Sequence, residues 1–169
     1  QKGWYISKTY QQVKEPYNWL KRLHRENEGF RKIVKKFNDS KLKITFINDK
    51  ELEFKSAERP ENLQGIMGVG ALVIGECGLL PDKIWYEAIL PAMADVGARV
   101  VFEGTPKGLN WYNDVCKRAL VQPETYTIKS WRTDENPTLD KDAVELYRQE
   151  LSKYGEKIVE QEFYGRFVS

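Results

Sequence analysis

Two short stretches hold residue types that can act on a nucleotide. Residues 71–74 read Ala-Leu-Val-Ile, and Gly75 and Glu76 follow directly. An apolar strand that ends in a carboxylate is the acidic half of a nucleotide-hydrolysing site. Its usual form is four apolar residues, then Asp, then Glu. The Asp orders the Mg2+ shell and the Glu orients or deprotonates the attacking water. Here Glu76 is present and Gly75 stands at the Asp position. A Glu after an apolar strand is also common in α/β proteins that do no such chemistry. The second stretch is Gly104-Thr105-Pro106-Lys107-Gly108, after the apolar run 99–102. Thr105 supplies a hydroxyl expected beside the first site. Pro106 and Gly108 set a turn, and Lys107 is expected to open the next helix. A phosphate cradle of the form G-x-x-x-x-G-K-[ST] occurs nowhere in the chain.

The elements around these stretches decide where they stand. Runs 71–74 and 99–102 are rich in Val and Ile, and Ile84, Trp85, Ala88 and Ile89 between them have helical spacing. Strand, helix, strand is the pattern of a parallel sheet. Ligands of such sheets bind beyond the carboxyl ends of the strands, where Gly75-Glu76 and Gly104-Thr105 lie.

Composition bounds the rest. The 169 residues suffice for one domain with a core, and the hydrophobic share of 41 % predicts folding rather than disorder. A net charge of +2 gives no global field for nucleic acid. Cys77 and Cys116 form no spaced framework, so reduced thiols in a cytosol-like compartment are expected. No apolar run approaches the roughly 20 residues of a membrane span, and no signal peptide is visible. The ends, QKGWYISKTY and FYGRFVS, read as those of an excised fragment.

Along the chain, residues 3–7 read as a strand. Thr9 or Tyr10 opens a helix with Val13, Tyr17, Leu20 and Leu23 apolar, in which Pro16 makes a kink or marks the true start. Phe30, Ile33, Val34 and Phe37 repeat the helical spacing in a second helical piece. From Lys14 to Lys36 eight Lys or Arg face three Glu, a local excess of +5. A solvated face is the plain reading and contact with a DNA backbone the sharper one. His24, with no Cys, Asp or His at ligand spacing beside it, belongs to that surface. Lys41 to Lys55 alternates as a β-hairpin turning at Asn48-Asp49-Lys50. A polar loop, residues 56–65, precedes the central strand. Later come a helix over 109–120, a strand suggested by Tyr126, Ile128 and Trp131, a helix capped by Thr138 or Asp140 to about Lys153, and a last helix over 157–164.

Taken together, these segments resemble the ATPase domain of the large terminase, the DNA-packaging motor protein of tailed phages. Residues 56–65, Ser-Ala-Glu-Arg-Pro-Glu-Asn-Leu-Gln-Gly, are similar to the segment before the family's acidic strand. Leu72–Glu76 looks like its Walker B strand. Leu80-Pro81-Asp82, Trp85, Glu87-Ala88-Ile89 and Pro91 match the helix that follows. Gly104 to Gly108 with Asn110-Trp111-Tyr112 looks like the coupling motif and its helix. Asn136-Pro137, Gln161-Glu162-Phe163 and Phe167 resemble the stretch that closes the domain, over about 125–169.

The resemblance implies an α/β, P-loop NTPase-like fold of the additional-catalytic-glutamate class. It implies a mostly parallel sheet with helices on both faces and a β-hairpin insertion, lacking the P-loop strand. It implies Glu76 as catalytic carboxylate, Thr105 as the coupling residue, ATP and Mg2+ as cofactors of the complete domain, and none for this fragment alone. The implied partners are double-stranded DNA, the portal, the small terminase subunit and further copies in a homo-oligomeric ring, in the cytoplasm of a bacterial host, with no membrane. The departures are a Walker A loop placed by the family upstream of Gly3, Gly75 for the Mg2+-associated Asp, and Gln64 where some members carry an Arg that reaches a neighbour's nucleotide. The nuclease domain is also absent. Glu103 could supply the lost carboxylate to the metal, against a plain role as a cross-strand surface residue. Arg59 could replace the missing arginine, against a structural salt bridge. The alternatives kept open are a catalytically inactive terminase-derived module and an unrelated small α/β nucleic-acid-binding domain.

Overall fold

A computed structural model describes residues 2–63 and 68–169, with the backbone alone at Pro60, Asn62, Ala92, Asp95 and Val96. Gln64 and Gly65 lie outside the described residues. The chain divides into two compact units, Gln1–Glu103 and Gly104–Ser169.

The first unit is built on a six-stranded sheet of order β2-β3-β4-β1-β5-β6. Its strands are β1 (Lys2–Ser7), β2 (Val34–Asn38), β3 (Lys43–Phe46), β4 (Glu51–Ser56), β5 (Val69–Ile74) and β6 (Arg99–Phe102). The pairs β4–β1, β1–β5 and β5–β6 are parallel, and the β2–β3 and β3–β4 pairs are antiparallel. The strand–helix–strand reading and the hairpin are therefore both present, and the hairpin turn is closed by Asp49 N–H donating to the Phe46 carbonyl at 3.0 Å.

Helix α1 (Tyr10–Glu26) starts from a capping box: Thr9 accepts from Gln12 N–H, and the Gln12 side chain accepts from Thr9 N–H. It runs through Pro16, so that residue is not its start. Val13 and Tyr17 are buried on one sheet face against Val34, Leu42, Ile44 and Phe54, and the Tyr17 and Phe54 rings meet edge-on at 5.4 Å. Tyr5 pairs in register with Phe54 and shares this face. Ile6 pairs with Ile74 and Ile74 with Phe102, so Phe102 lies on the opposite face. There it meets Trp85, ring centroids 5.3 Å apart. Helices thus cover both faces of the sheet.

Trp85 belongs to one continuous helical stretch: α3 (Asp82–Ile84), a π-helical turn (Trp85–Ile89) and α4 (Leu90–Val96). Pro91 lacks an N–H and its ring crowds the carbonyl four residues back, so the turn before it widens. Gly97 ends the stretch at φ 60°, a left-handed cap.

Two expectations are corrected. The second helical piece stops early: α2 (Glu28–Ile33) ends where Val34 turns extended, and β2 follows. Between Val34, paired with Phe46, and Lys36, paired with Thr45, the register shifts. Lys35 is the extra residue of a β-bulge, which lets Val34 and Phe37, three apart, face the same core and imitates helical spacing. The strand expected at Tyr126, Ile128 and Trp131 does not form. The segment is irregular, with Trp131 71 % exposed; its alternation meets no strand edge among the described residues.

The second unit holds α5 (Trp111–Val121), α6 (Lys141–Ser152) and α7 (Glu156–Glu162). Asn110 caps α5, and Asp140, one of the two expected caps, accepts from Ala143 N–H at 2.9 Å to start α6. Tyr147 packs near Phe163, and Tyr112 meets Phe167.

Candidate active site

The carboxyl end of β5 continues its ladder one residue past the strand. Gly75 N–H donates to the Ile6 carbonyl at 2.8 Å, Glu103 N–H to the Ile74 carbonyl at 3.0 Å, and Cys77 N–H back to the Glu103 carbonyl at 3.0 Å. These bonds lock Gly75, Glu76 and Glu103 at the ends of β1, β5 and β6. Glu76 then leaves the strand in the left-handed region, φ 53° and ψ 46°, a conformation rare for a side chain larger than Asn. It is half-buried at the head of a short turn, Cys77–Leu79.

Gly75 is buried, and its backbone is not in the left-handed region. Glycine is needed there for space. A Cβ at position 75 would lie 2.0 Å from the Tyr5 hydroxyl oxygen, 2.6 Å from the ring carbon bearing it, and 2.7 Å from Glu103 Oε1. The Tyr5 hydroxyl donates to Glu103 Oε1 at 3.1 Å, crossing the space above Gly75. Burial first, then the negative charges of Glu103 and Glu76, push the Tyr5 pKa well above the ordinary phenol range. Tyr5 is therefore a permanent hydrogen-bond donor here. Sequence reasoning did not find it. Its only signal is register: Tyr5 pairs with Val73, which puts Gly75, two residues on, on the same face.

The residues can be tested against Mg2+. Among the described residues no group of three or more His, Cys, Asp or Glu is placed to share an ion. Mg2+ needs only one or two carboxylates, completing its octahedron with water and phosphate oxygens. Glu103 Oε1 lies 2.7 Å from where a Cβ at position 75 would stand, behind the Tyr5 hydroxyl that fills that space, so one carboxylate is at hand beside Gly75. At that level the arrangement fits.

Gly104 to Gly108 belong to the second unit and are anchored within it. Lys107 pairs with Glu162 at the end of α7, Gly108 N–H donates to Gln161 Oε1 at 3.4 Å, and the Gln161 amide donates to Glu162 Oε1 at 2.7 Å. The Asn110 amide donates to the Lys107 carbonyl at 3.3 Å while its oxygen caps α5. The helix begins at Trp111, so Lys107 does not open it, contrary to expectation; Asn110 is the better cap. Pro106 is buried, and Thr105 is half-buried. Arg59 is exposed and, among the described residues, has no ion-pair partner.

No protein-family model matches the chain. Over 125 residues, 65 % of this chain, it is 26 % identical to a protein named "Terminase, large subunit" from Thermus phage G20c. The likeness is to the phage large terminases. The chain spans 26 % of the length of that relative. In fold it is similar to the large terminase of a thermophilic bacteriophage, with TM-score 0.78, 18 % identity, and coverage of 99 % of this chain and 41 % of that one. It is also similar to the large terminase ATPase domain of Thermus phage P74-26, with TM-score 0.69, 20 % identity, and coverage of 99 % and 77 %. The first of these two terminases has been solved in complex with ADP and with ATP-gamma-S.

Proposed function

We propose that this chain is part of the ATP-hydrolysing subunit of a motor that packages viral double-stranded DNA into a procapsid. The observation that carries the reading is the carboxylate of Glu76 at the carboxyl end of an interior parallel strand. The chain that holds it is similar in sequence to a terminase large subunit.

In this reading Glu76 orients and deprotonates the attacking water. Glu103 holds the Mg2+ shell in place of a carboxylate at Gly75. ATP with Mg2+ brings the phosphoryl group and neutralises its charge. Gly104-Thr105-Pro106-Lys107-Gly108 couples nucleotide state to movement, with Lys107 gripping Glu162 of α7. Arg59, exposed and unpaired among the described residues, is the candidate for contact with the neighbouring copy in a homo-oligomeric ring, with Gln64 the second candidate by its place in the sequence. The partners are double-stranded DNA, the portal and the small terminase subunit, in the cytoplasm of a bacterial host. Among the described residues no helix is long and apolar enough to cross a membrane. Residues 1–169 form part of the ATPase domain, about 125–169 being its closing segment.

Two measurements test the proposal. Calorimetric titration of this chain with ATP and Mg2+ is expected to give no binding heat, because the loop G-x-x-x-x-G-K-[ST] is absent from it. Clear binding means that another part of the chain cradles phosphate, and the placement at Glu76 fails. In the full-length protein carrying this sequence, Glu76→Gln should lower kcat by about 100-fold or more. Turnover within a factor of two of wild type would overturn the role.

One observation favours a second reading, a catalytically inactive terminase-derived module: the Tyr5 hydroxyl occupies the space of the absent Asp side chain. That reading requires no turnover from the full-length wild type while DNA binding persists.

A further inference from the structure

The three residues Tyr5, Gly75 and Glu103 interlock at the carboxyl end of β5. Gly75 has backbone angles open to any residue, yet no side chain fits there beside Tyr5. The Tyr5 ring cannot swing away freely, since it rests on Phe54 with centroids 5.6 Å apart. Its hydroxyl is committed to Glu103 at 3.1 Å. Glu103 is itself held at both main-chain groups, through the Ile74 carbonyl and the Cys77 N–H. An exposed carboxylate on a flexible stem otherwise samples several rotamers; a donor on a nearby strand selects one.

We propose that Tyr5 and Gly75 are a matched pair in which Tyr5 is the positioning residue of the site. It fills the space over Gly75 and holds the Glu103 carboxylate at the end of β5, so that the metal-facing carboxylate is delivered from β6 rather than β5. The metal-facing part rests on the reading of Glu76 and Glu103 as one nucleotide site; the packing part does not. Restoring an Asp at position 75 is then not a repair. It drives Tyr5 off Glu103 and dismantles the arrangement it is meant to complete.

The test is a double-mutant cycle on this chain, read by thermal midpoint, with Mn2+ affinity in the presence of ATP measured by electron paramagnetic resonance on the full-length protein carrying the same substitutions. Gly75→Asp should lower the midpoint by roughly 5–10 °C, the effect of overpacking a buried site. In a Tyr5→Ser background the same substitution should cost less than half as much. If Gly75→Asp yields no folded protein, Gly75→Ala takes its place in the cycle. Equal losses in the two backgrounds would overturn the pairing. Tyr5→Phe keeps the ring and removes the donor; it should weaken Mn2+ binding about 3- to 10-fold, Glu103→Gln should weaken it further, and Tyr5→Phe should add little in the Glu103→Gln background. An unchanged Mn2+ affinity in Tyr5→Phe overturns the positioning role. Failure of the wild type to bind Mn2+ at all overturns the metal reading of Glu103, and the thermal cycle then decides the packing of Tyr5 on Gly75 by itself.

Discussion

Glu76 has a left-handed backbone without glycine's freedom. Such a residue costs about 1–3 kcal/mol and persists where its surroundings impose it. Exchange for glycine removes the strain and lengthens the list of unfolded conformers, two effects of opposite sign. Glu76→Gly should therefore raise the unfolding free energy by up to about 1 kcal/mol in urea titration while eliminating the carboxylate. A loss of stability would mean that Glu76 holds the turn together. Glu162 offers a pH test. Burial alone would raise its pKa, but the hydrogen bonds from Lys107 and Gln161 outweigh burial, and the net shift is downward. A folded pKa below the unfolded value of about 4.3 gives stability that is present above that value and lost as pH falls through the folded one. The gap in unfolding free energy between wild type and Glu162→Gln should be constant from about pH 7 to pH 5 and shrink below. A gap that persists to about pH 3 would exclude the pair as its source.

At the level of elements, what could be read in the sequence was whatever rests on neighbours in the chain. Alternation over Leu42, Ile44 and Phe46 depends on one hairpin, so the hairpin was legible. The cap at Asp140 depends on a side chain and an N–H three residues apart. What escaped depends on partners far along the chain. The bulge at Lys35 moved Phe37 into helical spacing with Val34, and only the register with β3 reveals a strand. The alternation around Ile128 is real, yet no strand edge receives it among the described residues. Tyr5 and Gly75 are far apart in the chain, and nothing local ties one to the other. Lys107 meets Glu162 across 55 residues. At the candidate site, Glu76 and Gly75 are legible by type and order alone, while the donor over Gly75 needs the parallel pairing of β1 and β5. The core itself gives a plain expectation: Ile44, fully buried between α1 and the sheet, should cost about 2–5 kcal/mol on exchange for Ala, measured by urea unfolding. A cost under about 1 kcal/mol would mean that α1 does not pack there.

For the whole molecule, charge sets the terms of any contact with DNA. Of the eight cations from Lys14 to Lys36, Lys21, Lys32 and Lys35 are paired with Asp39, Glu28 and Asp49, and Arg31 bonds the carbonyls of His24 and Arg25. Among the described residues Lys14, Arg22, Arg25 and Lys36 have no such partner and would remain for phosphates. With four such contacts the slope of log K against log salt should be no steeper than about −4, and Arg22→Ala with Arg25→Ala should flatten it by about 2. A slope unchanged by that pair would place the DNA contact elsewhere.

The outer edge of β6 carries a consequence of a different kind. It ends the sheet, with no strand beyond it among the described residues, and Val101 there is 58 % exposed. Two copies can meet along such an edge as a ribbon, and the like charges of Arg99 on the two strands oppose that approach. Salt screens that repulsion, with a Debye length of about 10 Å at 0.1 M. Concentrated solutions of this chain should therefore grow turbid as ionic strength rises. Dilute, low-salt storage would keep the monomer.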